Sequence, residues 1–318
     1  MNTLFRPIAF SLSLLATAAQ ADVPLPVKVL TGNDLLTLPA VWLEPGPSQP
    51  FRFASAVRTS AYNLGNNDWK VQRSTSGNAA VHQSLPAANP PLLPTWPTGS
   101  SVFDFKVQHD HAQAWATMSS TGVPWIWLRG FGDYKAEAVS SWNTTVTVPA
   151  GGLREVIVRF VLPPATVSGV TEQQGPNAWR ARLRAELLVN GFPAWSTEAL
   201  RFHTSASGGT SKPLLQQFGN ALFFPTNDED ASTTNDSEDG MNGASTKTTV
   251  HLSLGLFSPG SVIELSMIHR ANVFSQPTSG GSHRCKHDTY PVDDWFCSGS
   301  GITINGSTGE APRIYLKN

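Results

Sequence analysis

Apolar and polar residues take turns along much of this chain. Val156, Val158, Phe160 and Leu162 alternate with Ile157, Arg159 and Val161, directly after the turn Pro149-Ala150-Gly151-Gly152. Further on, Trp179, Ala181, Leu183, Ala185, Leu187 and Val189 form one face, while Arg180, Arg182, Arg184 and Glu186 occupy most of the other. A period of two held this long specifies a half-buried antiparallel strand. Ala, Arg, Leu and Glu also favour helices, so residue type alone would suit either element. Two features select the strand: every odd position is apolar, and Asn190-Gly191 then offers a tight hairpin turn. Residues 192–203 are predicted to return as its partner.

The same grammar recurs near the C-terminus. Val250, Leu252, Leu254 and Leu256 alternate with His251, Ser253 and Gly255, Ser258-Pro259-Gly260-Ser261 makes a turn, and 262–269 comes back. Further strands are predicted over 102–107, 112–118, 125–131, 139–148, 215–224, 301–305 and 313–316. No segment reads as a helix longer than two turns. Strands at this spacing, without interleaved helices, predict an all-β chain: an antiparallel two-sheet β-sandwich of jelly-roll type.

The first 21 residues follow a different pattern. Arg6 gives a short basic start, an apolar stretch runs from Ile8 to Ala19, and Ala19-Gln20-Ala21 is a small-x-small cleavage site. This is the build of a secretory signal peptide, so the mature protein is expected to begin at Asp22 and to be secreted or periplasmic. The remaining 22–318 is read as a single β-sandwich domain. The Pro-rich stretch Pro86–Pro97 marks an alternative division, a small N-terminal β unit over 22–97 and the main sandwich over 98–318.

Charge narrows the partners. The formal net charge is −1, and losing Arg6 with the leader takes it to −2. A near-neutral balance argues against an overall electrostatic grip on nucleic acid or anionic lipid. No later apolar run is long enough to insert in a membrane. Cys285 and Cys297 are the only two cysteines. In an oxidising compartment so close a pair is expected to form one disulfide, stabilising the fold by roughly 3 kcal/mol in the chain-entropy model. Zinc is the alternative for this stretch, since His283 and His287 flank Cys285.

Three segments carry a family resemblance: Ser140-Ser141-Trp142-Asn143-Thr144-Thr145-Val146-Thr147-Val148, the late hairpin over 248–257 and 262–267, and Gly301-Ile302-Thr303-Ile304-Asn305-Gly306. Together with the 156–162 strand, they make the region 100–318 resemble the secreted β-sandwich of bacterial surface proteins with a PEP-CTERM-type anchor. The anchor itself has no counterpart in the pattern read here. The resemblance implies a fold and an extracellular location, and brings no catalytic residues with it.

Candidate chemistry falls in two places. Asp228, Asp230, Asp236 and Asp239, with Glu229 and Glu238 among Asn, Ser and Thr, offer the hard oxygen ligands that Ca²⁺ takes. The spacing is not that of an EF-hand, and a solvated acidic loop is the alternative. Apart from Ca²⁺ here and the zinc alternative at the cysteines, no cofactor is suggested. The second place is aromatic. Trp125 and Trp127 flank Ile126, so on a strand both indoles share one face, with Trp115 on a neighbouring strand. Exposed, they form a platform for sugar rings; buried, they are core, the commoner fate of so large a side chain. Trp69 and Trp295 stand among polar residues and are further ligand-binding candidates. Catalytic signatures such as G-x-S-x-G, H-E-x-x-H or a P-loop are absent from the sequence. The reading that follows is a non-enzymatic secreted protein that binds an extracellular glycan or other surface polymer. The alternatives are a polysaccharide-acting hydrolase or lyase, with carboxylates drawn from separate strands, and a structural matrix protein.

Overall fold

The alternating segments do form strands, and the computed structural model of the chain is all-β with antiparallel sheets. The structure describes residues 27–38, 42–43, 51–61, 65–66, 68–75, 79–85, 111–131, 134–172, 177–204, 214–219, 229–230, 238–277 and 299–318. The expected leader, the strand expected over 102–107 and the cysteine segment lie outside these residues.

The strands are β1 (Lys28–Val29), β2 (Trp42–Leu43), β3 (Arg52–Ala61), β4 (Gly65–Asn66), β5 (Lys70–Ser74), β6 (Ala79–Leu85) and β7 (His111–Met118). They continue as β8 (Pro124–Phe131), β9 (Tyr134–Thr147), β10 (Arg154–Leu162), β11 (Ala165–Glu172), β12 (Asn177–Val189), β13 (Phe192–Thr204) and β14 (Leu214–Gly219). The last six are β15 (Glu229–Asp230), β16 (Glu238–Ser245), β17 (Thr248–Phe257), β18 (Val262–Pro277), β19 (Gly299–Ile304) and β20 (Arg313–Lys317). Only two short 3₁₀ turns, Gly32–Thr37 and Gly306–Thr308, interrupt the β structure among the described residues.

These strands make three sheets, none closed into a barrel. An eight-stranded sheet has the order β14-β13-β12-β18-β9-β3-β4, with β5 also on β3. A seven-stranded sheet runs β15-β16-β11-β19-β8-β7-β6, and a five-stranded sheet β1-β17-β10-β20-β2. The two smaller sheets share chain segments. β10 passes into β11 across Pro163-Pro164, and β16 into β17 across Thr246-Lys247. Leu162 pairs with Thr248 on one side of this interruption, and Ala165 pairs with Ser245 on the other. Proline has no N–H to give to a ladder, so two in succession break it locally. The Ser245 hydroxyl mends the edge of the gap, accepting from the Ala165 N–H at 3.1 Å. Beyond it, the Asn305 N–H donates to the Pro164 carbonyl at 2.8 Å.

The β12–β13 hairpin turns as its sequence demands. Asn190 and Gly191 both take positive φ, 51° and 82°, the geometry of a two-residue primed turn. The Asn190 side chain also ties this turn to β18, where its Oδ1 accepts from the Glu264 N–H at 2.9 Å.

One core cluster draws on all three sheets. On the inner face of the eight-stranded sheet, Phe53, Trp142, Met267, Leu187 and Trp195 lie side by side across five strands. Phe160 of β10 meets Trp195 edge-on, with ring centroids 5.1 Å apart. The seven-stranded sheet approaches the far half of the same face. There the Ser300 hydroxyl donates to the carbonyls of Phe274 and Arg180, at 3.1 and 3.3 Å. A β-carbon on Gly169 would overlap the indole of Trp179, so glycine permits this close approach. The next inner row holds Ser55, Ser140, His269, Ala185 and Thr197. Ser55 and Ser140 share a hydrogen bond of 3.1 Å within it.

Candidate binding face

The face of β8 turned away from the core is the best candidate site. Ile126 and Leu128 are fully buried and belong to the core cluster. Strand alternation therefore puts Trp125, Trp127 and Arg129 on the opposite face. The neighbouring β7 behaves alike, with Ala112, Ala114 and Ala116 in the core and Gln113, Trp115 and Thr117 outward. Register then assembles the site: Trp115 lies directly across from Trp127, Thr117 from Trp125, and Gln113 from Arg129. On the other side of β8, Thr303 pairs with Trp127 and Gly301 with Arg129. Directly opposed side chains stand about 5 Å apart at Cβ, close enough for the indoles to touch.

The three tryptophans are not equivalent. Trp127 is 8% exposed, while Trp115 and Trp125 are half-buried. Trp127 is nevertheless no part of the core cluster. The guanidinium of Arg129 lies over its ring, 5.2 Å from the centroid, a distance at which the ring face attracts a cation. Trp125 packs on the short turn Gly306–Thr308, where a β-carbon on Gly306 would enter the indole. That turn is capped by Asn305, whose Oδ1 accepts from the Ser307 N–H at 3.0 Å. The Thr117 and Thr303 hydroxyls on this face are buried and make no hydrogen bond among the described residues. Buried hydroxyls are normally satisfied. The face thus combines apolar rings, a guanidinium and hydroxyl groups with bonding capacity to spare.

The remaining expected sites are scattered. Trp69 is 40% exposed and sits under the Arg58 guanidinium at 4.9 Å, away from the other three indoles on the eight-stranded sheet's side. Arg58 in turn pairs with Glu137, which Lys135 also meets at 3.0 Å. Trp295, Cys285, Cys297, Asp228 and Asp236 lie outside the described residues. Asp230 and Asp239 fall on paired backbone, opposite Met241 and Thr171. The acidic stretch expected as one loop therefore includes strand at both ends. Among the described residues, no three His, Cys, Asp or Glu side chains gather as metal ligands. No helix among them is long and apolar enough to cross a membrane.

A second group, on the outer face of the eight-stranded sheet, escapes sequence reasoning. Glu198 accepts both Nε and a terminal nitrogen of Arg182 at 2.8 Å. Glu186 accepts from Arg184 at 2.7 Å and from Arg270 Nε at 3.0 Å. Both oxygens of each carboxylate are occupied by guanidinium donors. The Arg180-Arg182-Arg184-Glu186 alternation on β12 is visible in the chain, but its partners on β13 and β18 come only from register. Compared with known proteins, the chain matches no family model and no curated relative.

Proposed function

We propose that this is an exported, non-enzymatic β-sandwich protein that binds an extracellular glycan or a similar surface polymer through the outward tryptophans of β7 and β8. The observation that carries the reading is the register of Trp115 with Trp127, beside Trp125, on the face opposite the core. Trp115 and Trp125 supply partly open ring surface for the apolar C–H face of a sugar. Trp127, with the Arg129 guanidinium over its ring, stands beside them. Export rests on the leader-like residues 1–21, and the extracellular setting also on the resemblance to PEP-CTERM-type surface proteins.

The same proposal includes a single domain with a jelly-roll arrangement in two layers. Four pairings support it: β12 with β13, β10 and β11 with β17 and β16, β9 with β18, and β8 with β19. Each is nested inside the next along the chain, as in a long hairpin rolled up on itself. The five- and seven-stranded sheets act in this reading as one layer broken at the double proline. The N-terminal β3 and β6 extend the layers by pairing with β9 and β7.

The test is titration of the full chain with neutral polysaccharides, monitored by tryptophan fluorescence. Trp115→Ala is expected to lower glycan affinity by about tenfold, or about 1.4 kcal/mol, while leaving the thermal midpoint nearly unchanged. Failure of any glycan to alter the fluorescence, or unfolding of both Trp115→Ala and Trp125→Ala, would return these indoles to a structural role.

A further inference from the structure

The outer face of the eight-stranded sheet is basic although the chain as a whole has a net charge of −1. Arg180, Arg182 and Arg184 alternate along β12, about 7 Å apart. Arg270 of β18 stands directly opposite Arg184, and Arg180 lies over Phe274 with its carbon 6.0 Å from the ring centroid. Against these four arginines stand Glu186 and Glu198, whose side chains are only 8% and 10% exposed. The arginines reach further out: the side chains of Arg182 and Arg270 are 44% and 52% exposed. Next to them the Arg58–Lys135–Glu137 group adds a further cation in excess. The exposed Glu264 is six positions from Arg270 on the same strand, about 20 Å away.

Two sunken carboxylates thus hold three of these guanidiniums, those of Arg182, Arg184 and Arg270, and Arg182 and Arg270 remain about half exposed. Guanidinium is the side chain best shaped for two-pronged contact with a carboxylate. Fixing its orientation beforehand reduces the ordering cost of binding. We propose that this arginine face binds an acidic polysaccharide, a polymer with carboxylates spaced along an extended chain. Net charge decides between polyanions. Duplex nucleic acid is held by many clustered phosphate contacts and the counterions they release, whereas this chain is −1 overall and two glutamates stand among the arginines of this face. A polymer with sparser charge fits. This inference concerns a different sheet from the tryptophan face and does not rest on that reading.

Binding of the full chain to polygalacturonate, with uncharged dextran and duplex DNA in parallel, tests it. Wild type is expected to bind polygalacturonate at low salt, to lose affinity as salt rises to about 0.15 M, and to prefer it to both controls. Arg180→Gln/Arg270→Gln is expected to weaken binding by about tenfold or more. Glu186 keeps Arg184 in this variant, and a thermal midpoint measured alongside reports on the fold. Should the pair unfold the protein, Arg180→Gln alone breaks no ion pair among the described residues and is expected to cost about threefold. Trp115→Ala is expected to leave polygalacturonate binding intact, which separates this surface from the glycan proposal. No binding at low salt, unchanged affinity in the folded arginine variants, or equal or tighter binding of DNA would overturn the inference.

Discussion

His269 is the side chain through which acid should loosen this fold. It is 2% exposed, on the inner face of β18 between Ser140 and Ala185. Burial pushes its imidazole from the ordinary 6.5 down to about 4, outweighing a contact with the Ser140 backbone that favours the charged form. The sign follows from linkage. Between about pH 6.5 and pH 4 the unfolded chain carries the proton and the folded chain does not, so stability falls as pH drops through this window and levels off below it. A depression of this size corresponds to about 3 kcal/mol, a large share of the stability of a typical domain. His269→Leu removes the titrating group while keeping the site filled. In urea unfolding from pH 7.5 to pH 4, the stability of the variant relative to wild type should rise by about 3 kcal/mol, because only wild type has this proton to take up on unfolding. His251, held below its usual value by burial and by Arg159, contributes a smaller slope of the same sign to both proteins and cancels in the difference. A difference between wild type and variant that stays constant across the range would refute the reasoning.

Two other perturbations test other parts of the fold. Gly306→Ala puts a β-carbon into the Trp125 indole and should cost about 1–3 kcal/mol of stability, with a shift in tryptophan emission that reports movement of the ring. The Glu310 carboxyl is held down to about 2 by hydrogen bonds from Lys247 and Arg159. Its contribution is therefore present above about pH 4.5 and lost as pH falls to about 2. Glu310→Gln should lower the thermal midpoint at pH 7 and converge with wild type near pH 2.

Where alternation is strict, the chain itself marks its strands. β12 begins and ends close to the expected residues because its apolar and polar positions separate onto two faces, and β13 follows from the Asn190-Gly191 turn although Arg201 and Thr197 are buried in it. β17 also lies where expected, but a register shift against β10 leaves Leu256 56% exposed, off the apolar face its alternation predicts. β18 starts where expected but runs on to Pro277, because Ala271, Val273 and Ser275 continue its inner row with smaller and partly polar side chains. β3 gives a weak signal, since its inner face of Phe53, Ser55, Val57 and Thr59 is half polar. Periodicity likewise places Trp125 and Trp127 on a common face but has no means of choosing which face. That choice is made by the neighbours: the alanines of β7 together with Ile126 and Leu128 lie in the core, which puts the indoles on the other face. The arginine raft meets the same limit. The charges of β12 are readable from the chain, whereas Glu198 reaches Arg182 across the hairpin and Arg270 reaches Glu186 from a strand 84 residues on.

The double proline between β10 and β11 has a dynamic consequence. Two sheets that share chain segments but no continuous ladder have a natural seam, so the five-stranded sheet with β17 and β20 and the seven-stranded sheet with β16 and β19 can open as separate cooperative units. The eight-stranded sheet meets both, Trp195 against Phe160 of β10 and the carbonyls of Arg180 and Phe274 against Ser300 of β19. Amide hydrogen exchange should then sort the protein into two zones of unequal protection divided near residue 164, with the slowest amides in β12 and β18, the pair that bridges the divide.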